Sequence, residues 1–187
     1  DAFGLNLRIL LSDGYQPVGR GIGPSLEARD VLAVLQGKGD APQDLRQRAL
    51  VLAAALLEMG GKAQDDKGLE LAQEILDSGK AWSKFQRICE AQGGMRIPPE
   101  PVLCKPFLAS HSGTVIAIDN RRLARIAKLA GAPEAKAAGV DSHVKIGQRV
   151  ERGQPIYSVH AESRGELAYV QDYIKSNDDP IMLAGDP

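Results

Sequence analysis

The residues best suited to chemistry are three closely spaced glycines, three histidines and a few carboxylates. Gly19, Gly21 and Gly23 stand between a short apolar run and a helix-like segment. Bare backbone N–H groups at a helix start attract anions, so a phosphate cradle is the first candidate chemistry. The spacing departs from the G-x-G-x-x-G dinucleotide fingerprint, and the loop ends in Pro24 rather than the Gly-Lys-Ser/Thr of a nucleotide P-loop. Pro24 also removes one donor, so a tight structural turn outweighs a ligand cradle. His111, His143 and His160 lack metal-ligand spacing. His111 sits in Ser110-His111-Ser112-Gly113, where a hydroxyl can orient an imidazole, yet a hydrogen-bonded surface histidine is the simpler reading. The pairs Asp65-Asp66 and Asp178-Asp179 fall at a helix start and a turn, where capping explains them. Asp141 and Glu162 are isolated, and Cys89 and Cys104 read as reduced core thiols without metal spacing.

The elements that would position these groups divide the chain in two. Leu7 to Leu11 is a short apolar run of the kind buried in a parallel sheet. Its expected neighbours lie upstream of Asp1, and the chain, which has no initiator Met, reads as a fragment. Helices are expected from a first turn at Pro24, with Ser25 as cap, to a stop at Gly37, from Gln43 to Met59, from Asp65 to Leu76 and from Lys80 to Ala91, with Gly60, Gly79 and Gly93 as the later stops. The second is Ala- and Leu-rich nearly all round and should be buried. The fourth aligns Trp82, Phe85, Ile88 and Cys89 on one side, so Trp82 and Phe85 should be buried too.

Ile97-Pro98-Pro99-Glu100-Pro101 interrupts this pattern and marks a domain boundary, giving domains 1–97 and 98–187. Beyond it Thr114 to Ile118 reads as a strand, Asn120 caps a helix to Leu129, and Ser163 to Ile174 is a helix. Pro180 to Leu183 is a last strand, so this part is α+β and largely antiparallel. Val144 to Val159 has the shape of a strand pair pinned by Gly147 and Gly153, similar to the hairpins of biotinyl and lipoyl carrier domains. Those carriers need a modifiable Lys at a hairpin tip, whereas Lys145 is expected inside a strand.

Composition excludes whole classes. At 187 residues, 43% hydrophobic and 25% charged, with 20 Gly and 11 Pro, the chain is an ordinary globular protein, not a collagen, a long disordered segment or a disulfide scaffold. A net charge of −1 and 4% aromatics argue against a general nucleic-acid binder. No run reaches the roughly 18–20 apolar residues of a membrane span. A cytoplasmic protein that binds neither nucleic acid nor membrane is expected.

Longer stretches carry a resemblance. Gln16-Pro-Val-Gly-Arg-Gly-Ile-Gly-Pro-Ser-Leu-Glu-Ala-Arg-Asp30, Leu56-Leu-Glu-Met-Gly-Gly61 and Ser78-Gly-Lys-Ala-Trp-Ser-Lys-Phe85 follow one another in order. Glu90-Ala-Gln-Gly-Gly94, Ile118-Asp-Asn-Arg121, Ala130-Gly-Ala-Pro133 and the closing hairpin complete the series. Together they resemble the thymidine phosphorylase family, most closely the branch with archaeal AMP phosphorylases. The resemblance implies phosphorolysis of a nucleoside or nucleotide to a free base and a sugar 1-phosphate, with inorganic phosphate as co-substrate, no cofactor and a homo-oligomeric, usually dimeric, enzyme. It implies the helical tail of a larger α/β domain followed by a C-terminal α/β-hammerhead domain with a barrel-like antiparallel sheet. The family's phosphate- and base-binding residues fall upstream of Asp1, so no catalytic, cofactor or metal residue carries over. The fragment alone should be inactive. The substrate stays open between thymidine, another pyrimidine nucleoside and AMP, and a non-enzymatic carrier-like interaction module is the competing reading.

Overall fold

Apolar residues at three- and four-residue spacing close into helices in the first half of the chain. The computed structural model describes residues 3–4, 7–64 and 66–185. A two-residue strand β1 (Gly21–Ile22) precedes α1 (Pro24–Leu35), α2 (Gln43–Met59), α3 (Gly68–Asp77) and α4 (Lys80–Ala91). The bounds of α2 and α4 are those expected, and α1 ends just before Gly37. Helix α3 starts three residues later than expected; Asp65 lies outside the described residues. Asp66 takes φ 66°, a left-handed conformation that cannot open a right-handed helix. Gly68 then begins α3 against α2, where an added Cβ would lie 2.4 Å from the Ala54 carbonyl oxygen.

The second half contains β2 (Leu103–Leu108), β3 (Gly113–Ile118), α5 (Asn120–Leu129), β4 (Gly139–Ser142), β5 (Arg149–Val150), β6 (Pro155–Ala161), α6 (Arg164–Lys175) and β7 (Ile181–Gly185). The strands form two antiparallel sheets, in orders β1-β4-β6-β2 and β5-β3-β7. The α+β, antiparallel expectation holds. The barrel-like detail does not: two separate sheets are present and no closed barrel occurs among the described residues. One core unites this half, built from Val115, Leu123, Ile126, Val140, Val159 and Val170, with the Phe107 and Tyr157 rings stacked 4.9 Å apart. Helix α6 is capped as a Ser163/Glu166 capping box. At α5 the cap is Asp119, which accepts from the Arg121 and Arg122 amides, and not Asn120. Ser25 likewise is no cap, because it lies inside α1, buried, with its amide donating to the Lys136 carbonyl.

Other expectations need correction. Leu7 to Leu11 is not a strand; it has no regular secondary structure, with Ile9 82% and Leu11 97% exposed. A parallel strand exists only by pairing, and none of the described strands pairs with it. Helix α2 is not buried all round, since Leu50, Ala54 and Ala55 face inward while Leu52, Leu56 and Met59 are exposed. Helix α4 has no fully buried residue, so Trp82 and Phe85 are only half-buried, stacked on each other at 6.0 Å. Among the described residues α4 packs chiefly against α3. Residues 144–146 are loop rather than strand. There the Lys145 and Ile146 amides donate to the side chains of Gln148 and Gln16, leaving no ladder to join.

Candidate functional site

The glycine loop is where the two halves meet, and its N–H groups already have acceptors. Asp30, buried on α1, takes the Arg20 and Gly21 amides at 2.6 and 2.9 Å and the Arg20 guanidinium at 3.0 Å. Asp44, in the first turn of α2, takes the Gly19 amide at 3.2 Å, and Glu27 takes that of Gly23 at 3.0 Å. Three carboxylates of the chain thus occupy the positions that a bound anion would take. The turn reading is correct, and the glycines serve close approach. A Cβ on Gly21 would fall 2.5 Å from Leu26, and one on Gly23 would fall 2.4 Å from the Ala138 carbonyl oxygen. That closeness lets β1 pair with β4, Gly21 opposite Asp141 and Ile22 opposite Val140.

Lys145 closes the joint from the other side. Its Nζ donates to the carbonyls of Pro17 and Gly19 at 2.9 and 2.6 Å and to the Asp44 carboxylate at 2.6 Å. Partial burial pushes the Asp44 carboxyl upward, but the Lys145 hydrogen bond and charge, with the Leu45 and Gly19 amides, outweigh it and hold it below its ordinary value. A cleft of about 540 Å³ opens beside this joint, lined by Gln16, Arg20, Asp44, His143 and Lys145 among others. Lys145 is therefore neither in a strand nor at a hairpin tip, and its ammonium is tied to three oxygens. A carrier lysine needs the reverse.

The remaining candidates are scattered. His111 is exposed, 3.1 Å from the Ser110 hydroxyl, at a cleft of about 380 Å³ shared with Asp119, Arg122, Asp178 and Asp179. Arg122 pairs there with Asp178 at 3.1 Å, so that acid anchors α5 to the turn before β7. His143 shares a hydrogen bond with the Ser158 hydroxyl at 2.8 Å. His160 is buried on β6, with Nε2 3.6 Å from the Cys104 sulfur opposite it and Nδ1 without a partner. Burial above all holds its imidazole below the ordinary histidine value, favouring the neutral ring. Asp141 is not isolated in space, because its charge acts on His160, and Glu162 accepts the Ala137 amide at 2.9 Å. Cys89 is half-buried and Cys104 exposed, so neither is a core thiol, and both are free. Among the described residues no group of three or more His, Cys, Asp or Glu is placed to hold a metal ion, and no helix is long and apolar enough to cross a membrane. Sequence reasoning missed Asp30, Asp44 and Lys145 as one cluster. The only local signal was an acid nine residues beyond Gly21 on the inward face of α1.

These residues hold a joint together, and the chain's relatives say what the joint belongs to. Residues 114–179 match the family model for the pyrimidine nucleoside phosphorylase C-terminal domain. A protein of Parvibaculum lavamentivorans named "Putative thymidine phosphorylase" is 54% identical over 182 residues, covering 97% of this chain and 36% of its own length. One of Legionella pneumophila (strain Corby) with the same name is 55% identical over 180 residues, covering 96% and 35%. "Putative thymidine phosphorylase 1" of Acidovorax sp. (strain JS42) is 57% identical over 173 residues, covering 92% and 34%. The chain thus spans about a third of the length of the curated relatives it matches. Its motifs, its C-terminal domain and its identity over nearly all of its residues agree: the chain belongs to the thymidine phosphorylase family.

Proposed function

We propose that the protein to which this chain contributes is a pentosyltransferase that converts thymidine and inorganic phosphate to thymine and 2-deoxyribose 1-phosphate. A phosphate oxygen forms the new bond at C1′ as the C1′–N bond breaks. The electron pair leaves with the base, which takes up a proton. The observation that carries this reading is 54–57% identity to proteins of that name across more than nine-tenths of the chain. Phosphorolysis needs cations and donors free to meet phosphate and a group to neutralise the departing base. In the glycine loop those donors are engaged by Asp30, Asp44 and Glu27, and the Lys145 ammonium is engaged by the joint. The chain accordingly serves as scaffold, its active site is supplied by the rest of a cytoplasmic homo-oligomer, and the 187 residues alone are inactive.

The test compares this chain with a protein of the relatives' full length that contains it. Each is given thymidine, uridine or AMP, with and without phosphate, and free base is followed by chromatography. Phosphate-dependent release of thymine by the long protein alone is expected. Release of adenine from AMP in its place would move the substrate to a nucleoside 5′-monophosphate. Release that ignores phosphate, or none from any substrate, would overturn the assignment.

A further inference from the structure

Strands β2 and β6 set Cys104 directly opposite His160. Opposed residues of an antiparallel pair lie on the same face, and here the side chains meet, with His160 Nε2 3.6 Å from the Cys104 sulfur. On its other flank His160 faces Gly139 of β4, which has no side chain to bond, and its Nδ1 has no partner. No hydrogen bond at Nδ1 fixes the tautomer, so Nε2 can turn its lone pair to the thiol. The His160 residue is only 9% exposed, whereas Cys104 stands on the outer strand of its sheet, open to solvent. A nucleophile within reach of a reagent is thus joined to a sheltered base. Burial is the main influence on that ring and holds it below the ordinary histidine value. Asp141 on β4 and Glu100 just before β2 favour the imidazolium, while Arg29 on α1 and His143 after β4 oppose it. Arg29 is itself paired with Glu100 at 2.9 Å. At neutral pH the imidazole is therefore uncharged and able to take a proton.

We propose that Cys104 is a covalent modification site, a thiol that His160 deprotonates for exchange with low-molecular-weight disulfides. As the Cys104 sulfur attacks one sulfur of the disulfide, its proton passes to His160 Nε2. The S–S bond of the reagent breaks and a new S–S bond to Cys104 forms. The other half departs as a thiolate and takes up the proton. Cys104 is oxidised and the departing thiol is reduced, so the exchange needs no further reactant. Cys89 supplies the contrast within the molecule, since it is half-buried on α4 in the half of the chain that has no histidine.

Labelling with dithiodipyridine, an uncharged aromatic disulfide, tests this on the 187-residue chain and on a full-length protein containing it, with each adduct located by peptide mass mapping. An unassisted thiol reacts through its thiolate, so Cys89 should slow about tenfold for each pH unit below about pH 8. Cys104 should react faster and slow less than about threefold between about pH 8 and pH 7, because neutral His160 carries the proton away. His160→Gln should slow Cys104 at least about tenfold at about pH 7 and give it the steep profile of Cys89. Cys104→Ser should leave only the slow adduct. The profile of the unmutated chain decides the matter even where His160→Gln fails to fold. A Cys104 profile as steep as that of Cys89 would overturn the proposal. So would a His160→Gln chain, folded by circular dichroism, whose Cys104 labels at the parent rate. A Cys104 closed to the reagent in the full-length protein would overturn it as well.

Discussion

Leu123, Val140, Val159 and Val170 are closed off from solvent in the C-terminal half, where α5 and α6 lie against the strands. In the helical half α4 buries nothing completely, and α2 leaves Leu56 69% exposed although its other face is packed. Both halves have helical sequences rich in apolar residues, so the difference is not one of composition. A helix apolar on one stripe needs one partner layer, whereas a helix apolar on two sides needs two. Helix α5 has one stripe and finds its layer in the sheets. Helix α2 has two sides and finds one layer. The exposed side of α2 carries Leu52, Leu56 and Met59 without a packed layer among the described residues.

The comparison can be broken by mutation. Its largest effect is expected in the closed core: Leu123→Ala should cost about 3–5 kcal/mol in urea unfolding, because the cavity has no solvent-side relaxation. A loss below about 1 kcal/mol would mean that this core is as loose as the helical half. Trp82→Ala comes next, at about 1–2 kcal/mol in this chain, since the ring is only half-buried and already meets solvent. Full burial would have predicted about 3–5 kcal/mol. The same change made in the longer protein sharpens the contrast if its cost rises toward that range.

Lys145→Met tests the joint between the halves. With both Lys145 and Asp44 more than a third or nearly a third open to solvent, the expected loss is about 1 kcal/mol. Its pH signature is more telling. Asp44 holds its proton less readily in the folded chain than its ordinary value of 3.8 would imply, so its contribution is present above that value. The contribution is lost as pH falls through the lower, folded-state value. Urea midpoints followed from about pH 5 to pH 3 should therefore fall less steeply in the variant. An unchanged slope would show that the ion pair does not couple the halves. Smallest of all, Leu56→Ser should stay within about 0.5 kcal/mol of the parent chain. A larger loss would mean that the exposed stripe of α2 is already covered.

What could be read from the sequence followed how local its cause was. Helices α2 and α4 are legible to the residue because spacing, Gly60 and Gly79 define them without reference to anything else. Strand β2 was passed over because Pro106 sits inside it among other prolines. As the outer strand of its sheet, it tolerates a residue that cannot donate. Strand β1 is two residues long and exists only because β4 pairs with it. The joint escaped for the same reason, since Lys145 meets Asp44 across 101 residues and no spacing rule reaches so far. Burial was misjudged for α4 because an amphipathic pattern shows that a face wants cover, not which chain provides it.

The pairing of Gly21 with Asp141 also sets an order of events during synthesis. About 120 residues separate the two, and a ribosome adding roughly 5–20 residues per second needs on the order of ten seconds to make them. Through that interval the glycine turn can gather Asp30 and Asp44, which emerge soon after it, but neither β4 nor Lys145 yet exists. The N-terminal helices therefore have that interval in which to settle before the seam to the C-terminal half can be sewn. A chaperone that shields the nascent chain would find the two backbone edges of Gly21–Ile22 waiting until the last third of the chain has left the tunnel.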